Sequence, residues 1–274
     1  MKADLHIHSY LSDGKCSPSH IVEYAVQNTL SIIALTDHDT VAGLEEARQA
    51  AQHYPALTFI AGVELSTSQD EEELHILGYG IKDDTPAMLE LLARAQENRK
   101  RRINRTLTRL QHCGIRLTIH DIQRGNHTKS LGRMHIARLL IQRGYVRSIR
   151  EAFDRYLSYD TNIIDYSPTE FVCSEEAITV ILDAGGIPVL AHPTIALFDR
   201  YIDVLIGYGL QGIEVFKGTR TSIEEYYLDT VAKDKGLLST GGSDWHGFHP
   251  TLRLGNFSVD AARIRPFLEK LQLA

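Results

Sequence analysis

Short apolar runs alternate along this chain with stretches whose apolar residues recur at helical spacing, which predicts repeated β-α units around a mostly parallel sheet or barrel. The runs at 4–8, 31–36, 57–64, 74–79, 187–191, 212–216 and 237–241 are the expected strands. Between them lie helical patterns near 19–29, 41–53, 174–185, 199–208, 220–235 and 259–271. Ser174 followed by Glu175 and Glu176 reads as a helix start, and Gly185-Gly186 as its end.

Residues 86–165 break this rhythm and read as a helical insertion. Met88, Leu91, Leu92 and Ala95, then Ile103, Leu107 and Leu110, keep helical spacing until Gly114 ends the run. A second helix, Met134 to Gln142, stops at Gly144, and a third starts at Ser148, where Glu151 is expected to complete a capping box. The expected organisation is a barrel domain of residues 1–85 and 166–274, with the basic insertion 86–165 covering the active site.

Charge sharpens that division. The chain carries a formal net charge of -6, yet residues 99–155 hold 15 Lys or Arg against three Asp or Glu, so this window is +12 and the remainder is -18. Such a window is expected to face something anionic. At 274 residues and 43% hydrophobic, with 20 Gly and only 8 Pro, the chain can bury one large core and is neither disordered nor collagenous. Its first residues hold no apolar leader, and the apolar stretch from Ile178 to Ala191 is broken by Asp183, Gly185, Gly186 and Pro188, so neither export nor membrane insertion is expected. Cys16, Cys113 and Cys173 are widely separated and odd in number, which suits a reduced, cytoplasmic location.

The chemistry begins at Asp4-Leu5-His6-Ile7-His8-Ser9. Side chains alternate faces along a strand, so Leu5 and Ile7 can enter a core while His6 and His8 project together on the other side. Asp13 follows, and then Thr36-Asp37-His38-Asp39, Glu64, His75, His192 and Gly242-Ser243-Asp244-Trp245-His246. His38, Glu64, His192, Asp244 and His246 fall at or just past the ends of expected strands, where parallel α/β folds gather their active sites. His75 begins its strand and is not explained by that rule. Six imidazoles and three carboxylates exceed what one first-row ion can hold, about four to six ligands, so two or three ions are implied. With no thiolate in the set, Mn, Fe or Zn is expected. Three divalent ions (about +6) against three carboxylates leave a mouth of about +3, suited to a phosphate dianion. A metal-bridging water that ionises near neutral pH can attack in line, so no protein nucleophile is required.

These residues resemble the polymerase and histidinol phosphatase (PHP) superfamily of metal-dependent phosphoesterases. The pieces that carry the resemblance are Asp-Leu-His-Ile-His-Ser at 4–9, Ser-Asp-Gly at 12–14, Thr-Asp-His-Asp-Thr at 36–40, Gly-Val-Glu at 62–64, His75, Ala-His-Pro at 191–193 and Gly-Ser-Asp-Trp-His at 242–246. Gly132-Arg133-Met134-His135-Ile136-Ala137 and Ala152-Phe153-Asp154-Arg155-Tyr156-Leu157 extend it to the branch with 3′,5′-nucleoside bisphosphate phosphatases and 5′-to-3′ exoribonucleases, although Met134 stands where related sequences often have Pro. The resemblance implies a distorted (β/α)7 barrel and a trinuclear site, with Mn the first expectation among the ions. By that analogy His6, His8, Glu64 and Asp244 hold one ion and Asp13, His38 and His246 a second, while Glu64 bridges to a third bound by His75 and His192. Asp13, His38, Glu64, His192, Asp244 and His246 are thereby the expected catalytic residues.

For substrate binding, Arg133 is the first candidate, because a guanidinium fork on the Gly132-Arg133 turn can grip a second phosphate. Arg138 and His135 follow, then Lys129 and Ser130; His135 is alternatively a general acid. Arg99-Lys100-Arg101-Arg102, with Arg105 and Arg109, reads equally as a phosphate contact and as a solvated helix face. Asp37 and Asp39 are expected to orient His38 or neighbouring waters, with a role as further ligands the alternative, and Glu214 is evenly divided between that kind of support and a satisfied barrel polar group. The expected activity is hydrolysis of a nucleotide-like phosphomonoester, foremost the 3′-phosphate of a 3′,5′-bisphosphonucleoside. Alternatives are 5′-3′ cleavage of short RNA, hydrolysis of AMP or another phosphomonoester, and, more distantly, amidohydrolase chemistry or a non-catalytic module. A phosphorylated nucleotide or the 5′ end of a short RNA is the expected partner, and neither duplex DNA nor an obligate protein partner is.

Overall fold

The computed structural model describes residues 1–124, 127–161, 163–164, 167–249 and 251–273. All seven expected strands form: β1 (Lys2–Ile7), β2 (Ile32–Leu35), β3 (Thr58–Gln69), β4 (Glu72–Tyr79), β6 (Ile187–Leu190), β7 (Gly212–Phe216) and β8 (Leu238–Gly241). Two short ones, β5 (Val172–Cys173) and β9 (Val259–Asp260), join them. The sheet runs β8-β7-β6-β4-β3-β2-β1-β9, with β5 added alongside β3. Ile7 bridges Trp245 just beyond β8. There the His8 N–H donates to the Trp245 carbonyl at 2.9 Å and the Trp245 N–H to the His6 carbonyl at 3.2 Å, which nearly closes the sheet into the expected distorted barrel.

The mostly parallel expectation needs one correction. β4 runs antiparallel to both neighbours, β3 and β6. β3 also continues past Glu64 to Gln69, forming a tight hairpin whose register sets Ser66 against His75. The start of an antiparallel strand lies on the rim where its parallel companions end, so His75 reaches the same mouth as Glu64.

Most helices follow the apolar spacing and have recognisable starts, but the stretch expected at 259–271 opens with β9 and a 3-10 turn, Ala261–Ile264, and is α-helical only over Arg265–Lys270. Ser17 accepts from the His20 N–H with Pro18 in the first helical position, and Thr85 does the same for Met88 ahead of Pro86. The helix after β5 is Ser174–Asp183, but its cap carries no side-chain bond; Ser174 instead donates to the Ser68 carbonyl at 3.1 Å. Inside 86–165 the helices are Pro86–His112, Ile119–Gln123, Arg133–Gln142 and Ile149–Ala152, followed by a π-helical turn, Phe153–Leu157. Half of the expected box at Ser148 is present: Ser148 Oγ accepts from the Glu151 N–H, while the Glu151 carboxylate takes the Arg147 N–H instead.

Buried apolar residues gather into two clusters. The larger fills the barrel and its helices, with Ile33, Leu65, Ile76, Phe198 and Phe267 fully buried, and the smaller joins Ile103, Leu107, Leu110, Ile136, Leu140 and Leu157. Positions 125, 126, 162, 165 and 166, which include the expected end of the insertion, lie outside the described residues. Among the described residues no helix is long and apolar enough to cross a membrane.

Candidate metal centre

Nine donors expected from sequence meet around one carboxylate. Glu64, fully buried on β3, presents Oε2 to His38 Nδ1 at 2.9 Å and to the Nε2 atoms of His6 and His8 at 3.3 Å each. Its Oε1 faces His75 Nδ1 at 2.8 Å and His192 Nε2 at 2.9 Å. Asp244 Oδ1 lies 3.2 Å from His8 Nε2 and 3.6 Å from His6 Nε2, and Asp13 Oδ1 lies 3.2 Å from His246 Nε2. The donor atoms fall into four overlapping groups, each within 4.8 Å: His8, Asp13, His38 and His246; His6, Glu64 and His192; His6, His8 and Asp244; His38, Glu64 and His75.

The local chain is shaped for this convergence. A Cβ on Gly14 would stand 2.2 Å from the His8 carbonyl oxygen, and one on Gly242 would stand 2.4 Å from the His6 backbone nitrogen, so both loops can approach β1 only without a side chain. Asp39, His192 and Asp244 have positive φ angles of 48°, 30° and 55°, placing left-handed backbone at the mouth, where the surrounding structure must hold it. Asp4 supplies part of that hold, accepting from the Ser243 N–H at 2.8 Å and from its hydroxyl at 2.6 Å.

Asp37 and Asp39 do not act on the His38 ring as expected. Asp37 accepts from the Ser9 N–H and from the Ser9 and Ser12 hydroxyls at 2.6–2.7 Å, fixing the loop that carries Asp13. Asp39 accepts from the Ser66 N–H and from Arg99, because its carboxylate faces β3 and the long helix rather than the imidazole. Glu214 resolves as the carboxylate behind His6: Oε1 meets His6 Nδ1 at 2.9 Å and Oε2 accepts the His192 N–H at 2.8 Å. That contact leaves His6 Nε2 directed at Glu64 and Asp244.

The donor set fits divalent cations. His6 Nε2, both His8 ring nitrogens, His38 Nδ1 and Glu64 Oε2 are buried without a hydrogen-bond partner, although several lie within 3.3 Å of one another. Buried polar atoms are normally paired, and lone pairs aimed at a common point are what a cation satisfies. Electrostatics agree. Burial opposes the Glu64 charge, yet the imidazoles of His38, His6 and His75 hold its carboxyl well below the usual range. Burial likewise opposes charge on His75, but Glu64 and Glu73 raise it to about 10. Burial and the neighbouring His246 and His38 push His8 down to about 3.

Beside these donors a cavity of about 200 Å³ is lined by Asp13, His38, His75 and His246 and also by Arg102 and Arg133. Arg133 stacks 4.5 Å from the centre of the Tyr159 ring and reaches Glu73 Oε2 at 3.5 Å. His135 is buried; its Nδ1 accepts the Gly132 N–H at 3.0 Å, and burial holds it below the usual imidazole range. Arg138 is half-buried and lies over Phe248 at 4.3 Å. Lys129 is exposed and Ser130 buried, and both give their backbone N–H to the Leu11 carbonyl. Arg99 is buried rather than solvated, donating to Asp39, to the Leu131 carbonyl at 3.1 Å and to Ser66 Oγ at 2.6 Å.

Sequence reasoning missed Glu73, Lys217 and Tyr159. Glu73 Oε1 meets His75 Nε2 at 3.3 Å, and Lys217 Nζ meets Asp244 Oδ2 at 2.8 Å. Glu73 had a usable signal: two residues before His75 on a strand, it shares that side chain's face.

A family model described as the PHP domain matches residues 4–162. The chain belongs to the PHP domain family. A PHP relative from Escherichia coli K12 named 5′-3′ exoribonuclease Rnm is 33% identical over 258 residues, covering 92% of this chain and 87% of the relative. A Chromobacterium violaceum relative named 3′,5′-nucleoside bisphosphate phosphatase is 33% identical over 249 residues, covering 89% of this chain and 86% of its own length. Among solved structures, a Bifidobacterium adolescentis protein described as a metal-dependent phosphoesterase superposes with a TM-score of 0.88 at 30% identity, over 98% of this chain and 96% of that one. PHP membership and these neighbours make the chain a metal-dependent phosphoric ester hydrolase.

Proposed function

We propose that this PHP protein removes the 3′-phosphate of a 3′,5′-bisphosphonucleoside, with 5′-3′ cleavage of short RNA as the closely related alternative. The observation that carries the reading is the shared cavity, which Asp13, His38, His75 and His246 line together with Arg102 and Arg133. A substrate with two phosphates a nucleoside apart can engage the donor cluster and the guanidinium groups at once. In this reading three divalent ions, Mn foremost with Fe or Zn as alternatives, are held by His6, His8, Glu64 and Asp244, by Asp13, His38 and His246, and by Glu64, His75 and His192. When bound, such ions supply Lewis acidity to a phosphoryl oxygen and lower the pKa of water from about 15.7 to about 7.

The chain's own residues do the remaining work. Glu214 and Glu73 orient His6 and His75 through their second ring nitrogens. The Arg133 hydrogen bonds to Glu73 and to the Leu157 carbonyl are long, 3.5 and 3.4 Å, and its guanidinium otherwise stacks on Tyr159, so its N–H groups can turn to a substrate phosphate. Segment 86–165 acts as the cover that brings these cations over the mouth, and the enzyme works in the cytoplasm. Purified protein loaded with Mn should release phosphate from adenosine 3′,5′-bisphosphate faster than from AMP. Supplied also with a 5′-phosphorylated oligoribonucleotide, a preparation that releases nothing from any of the three would defeat the assignment.

A further inference from the structure

Three cavities beside the metal donors share lining residues in series, which reads as one furrow along the centre. Glu73, His75 and Arg133 line both the first cavity and a second of about 200 Å³. His192 and Pro193 line both that second cavity and a third of about 320 Å³. The third is lined by the donor Asp244 together with Lys217, Thr219, Arg220, Thr194 and Glu224. The first cavity therefore holds Arg102, Arg133 stands where it meets the second, and the third holds Lys217 and Arg220.

A mononucleotide does not require the far end. From this we propose that Lys217 and Arg220 form a subsite for the nucleotide that follows the scissile phosphate, so that a single-stranded oligoribonucleotide lies across the metal centre. The inference rests on the phosphoesterase reading above and extends it to a chain substrate. Lys217 has three ammonium donors, of which one is used on Asp244 at 2.8 Å. Arg220 donates to the carbonyls of Glu214, Val215 and Pro193, which fixes its position between the loop after β6 and the end of β7 and leaves part of its fork uncommitted. Two acidic residues line this cavity: Asp244, which pairs with Lys217, and Glu224, one of whose oxygens is occupied by the Thr221 N–H and hydroxyl, at 2.8 Å each.

The chemistry is the same for both substrates. Water adds to phosphorus, the bond between phosphorus and the 3′ oxygen breaks, and that oxygen departs with a proton. In a bisphosphonucleoside the product is free phosphate; in RNA the phosphate stays on the 5′ oxygen of the next nucleotide, giving a shortened chain with a new 5′-phosphate. The leaving nucleotide sits under the cover in both cases. Only RNA carries a further substituent on the scissile phosphate, and the furrow gives it a path past His192 to Lys217.

The test places charge at Thr219, an exposed rim residue between the two cations. The ratio of kcat/KM for a 5′-phosphorylated pentaribonucleotide to that for adenosine 3′,5′-bisphosphate is measured with the Mn-loaded enzyme. Thr219→Glu should lower this ratio by about fivefold and Thr219→Lys should raise it, since a charge within a few ångströms of a phosphodiester is worth about 1 kcal/mol even in water. A ratio that stays fixed, or that moves in the opposite order, overturns the subsite. Wild-type enzyme that hydrolyses the bisphosphate but leaves the pentamer intact overturns the subsite and leaves the phosphatase reading standing, whereas failure on both substrates removes that reading as well.

Discussion

At the scale of single residues, Glu64 organises the centre because five imidazoles address its two oxygens. The ring nitrogens are in turn aimed by carboxylates behind them, and Glu214 is the clearest case. Glu214→Gln should weaken divalent-ion affinity about 10- to 100-fold while the fold persists, as loss of an orienting partner does at metal sites. Titration of the metal-free variant with Mn checks this; an unchanged affinity would make Glu214 a barrel polar group only. Protonation gives a second handle. In the metal-free protein His75 is raised to about 10 and His246 to about 9, against about 6.5 when unfolded. A raised imidazole contributes stability fully below its unfolded value and loses it as pH climbs toward the folded one. The metal-free protein should therefore melt at lower temperature at pH 9 than at pH 6.5, whereas the Mn-loaded protein, with neutral imidazole ligands, should not show that decline. Melting curves of the two forms side by side decide it, and a rising Tm for the metal-free form would contradict the coupling. The principal donors were legible because imidazoles and carboxylates recur at strand ends. Lys217 and Tyr159 were not, because nothing in local spacing says which basic or aromatic residue a distant loop will meet.

Among elements, the hairpin of β3 and β4 decides where the site can form. The apolar run at 74–79 announced a strand but not its direction, and direction is what carries His75 to the rim. Arg99 shows the opposite limit. A run of basic residues on a helix resembles a solvated face, and only the bonds of Arg99 to Asp39 and Ser66 reveal that one of them is buried. Because Asp39 is fully buried, removing Arg99 strands a charge. Arg99→Met should destabilise the protein by about 3–5 kcal/mol, the usual cost of breaking one half of a buried pair. Chemical denaturation measures it, and a loss below about 1 kcal/mol would show that Asp39 finds water or another partner. Of the helix starts announced in the sequence, Ser148 caps its helix and Ser174 opens one without a capping bond, whereas the π-helical turn at Phe153–Leu157, part of the smaller core, leaves no pattern in the sequence.

For the molecule as a whole, the basic window is balanced internally more than its +12 suggests. Arg99, Arg105, Arg133, Arg143 and Arg155 pair with Asp39, Glu170, Glu73, Asp121 and Glu151. What distinguishes Arg133 is a long contact at the cavity wall, not membership of a charged run. The central claim is that β1, β2, β3, β4, β6 and β8 bring their donors to one mouth that cages several cations around Glu64. Elemental analysis of the Mn-dialysed protein beside Glu64→Gln tests it most directly. The account predicts about three ions per chain in the wild type and at least one fewer in the variant, with turnover lost; a single ion or none in the wild type, or equal loading of the two proteins, would contradict it.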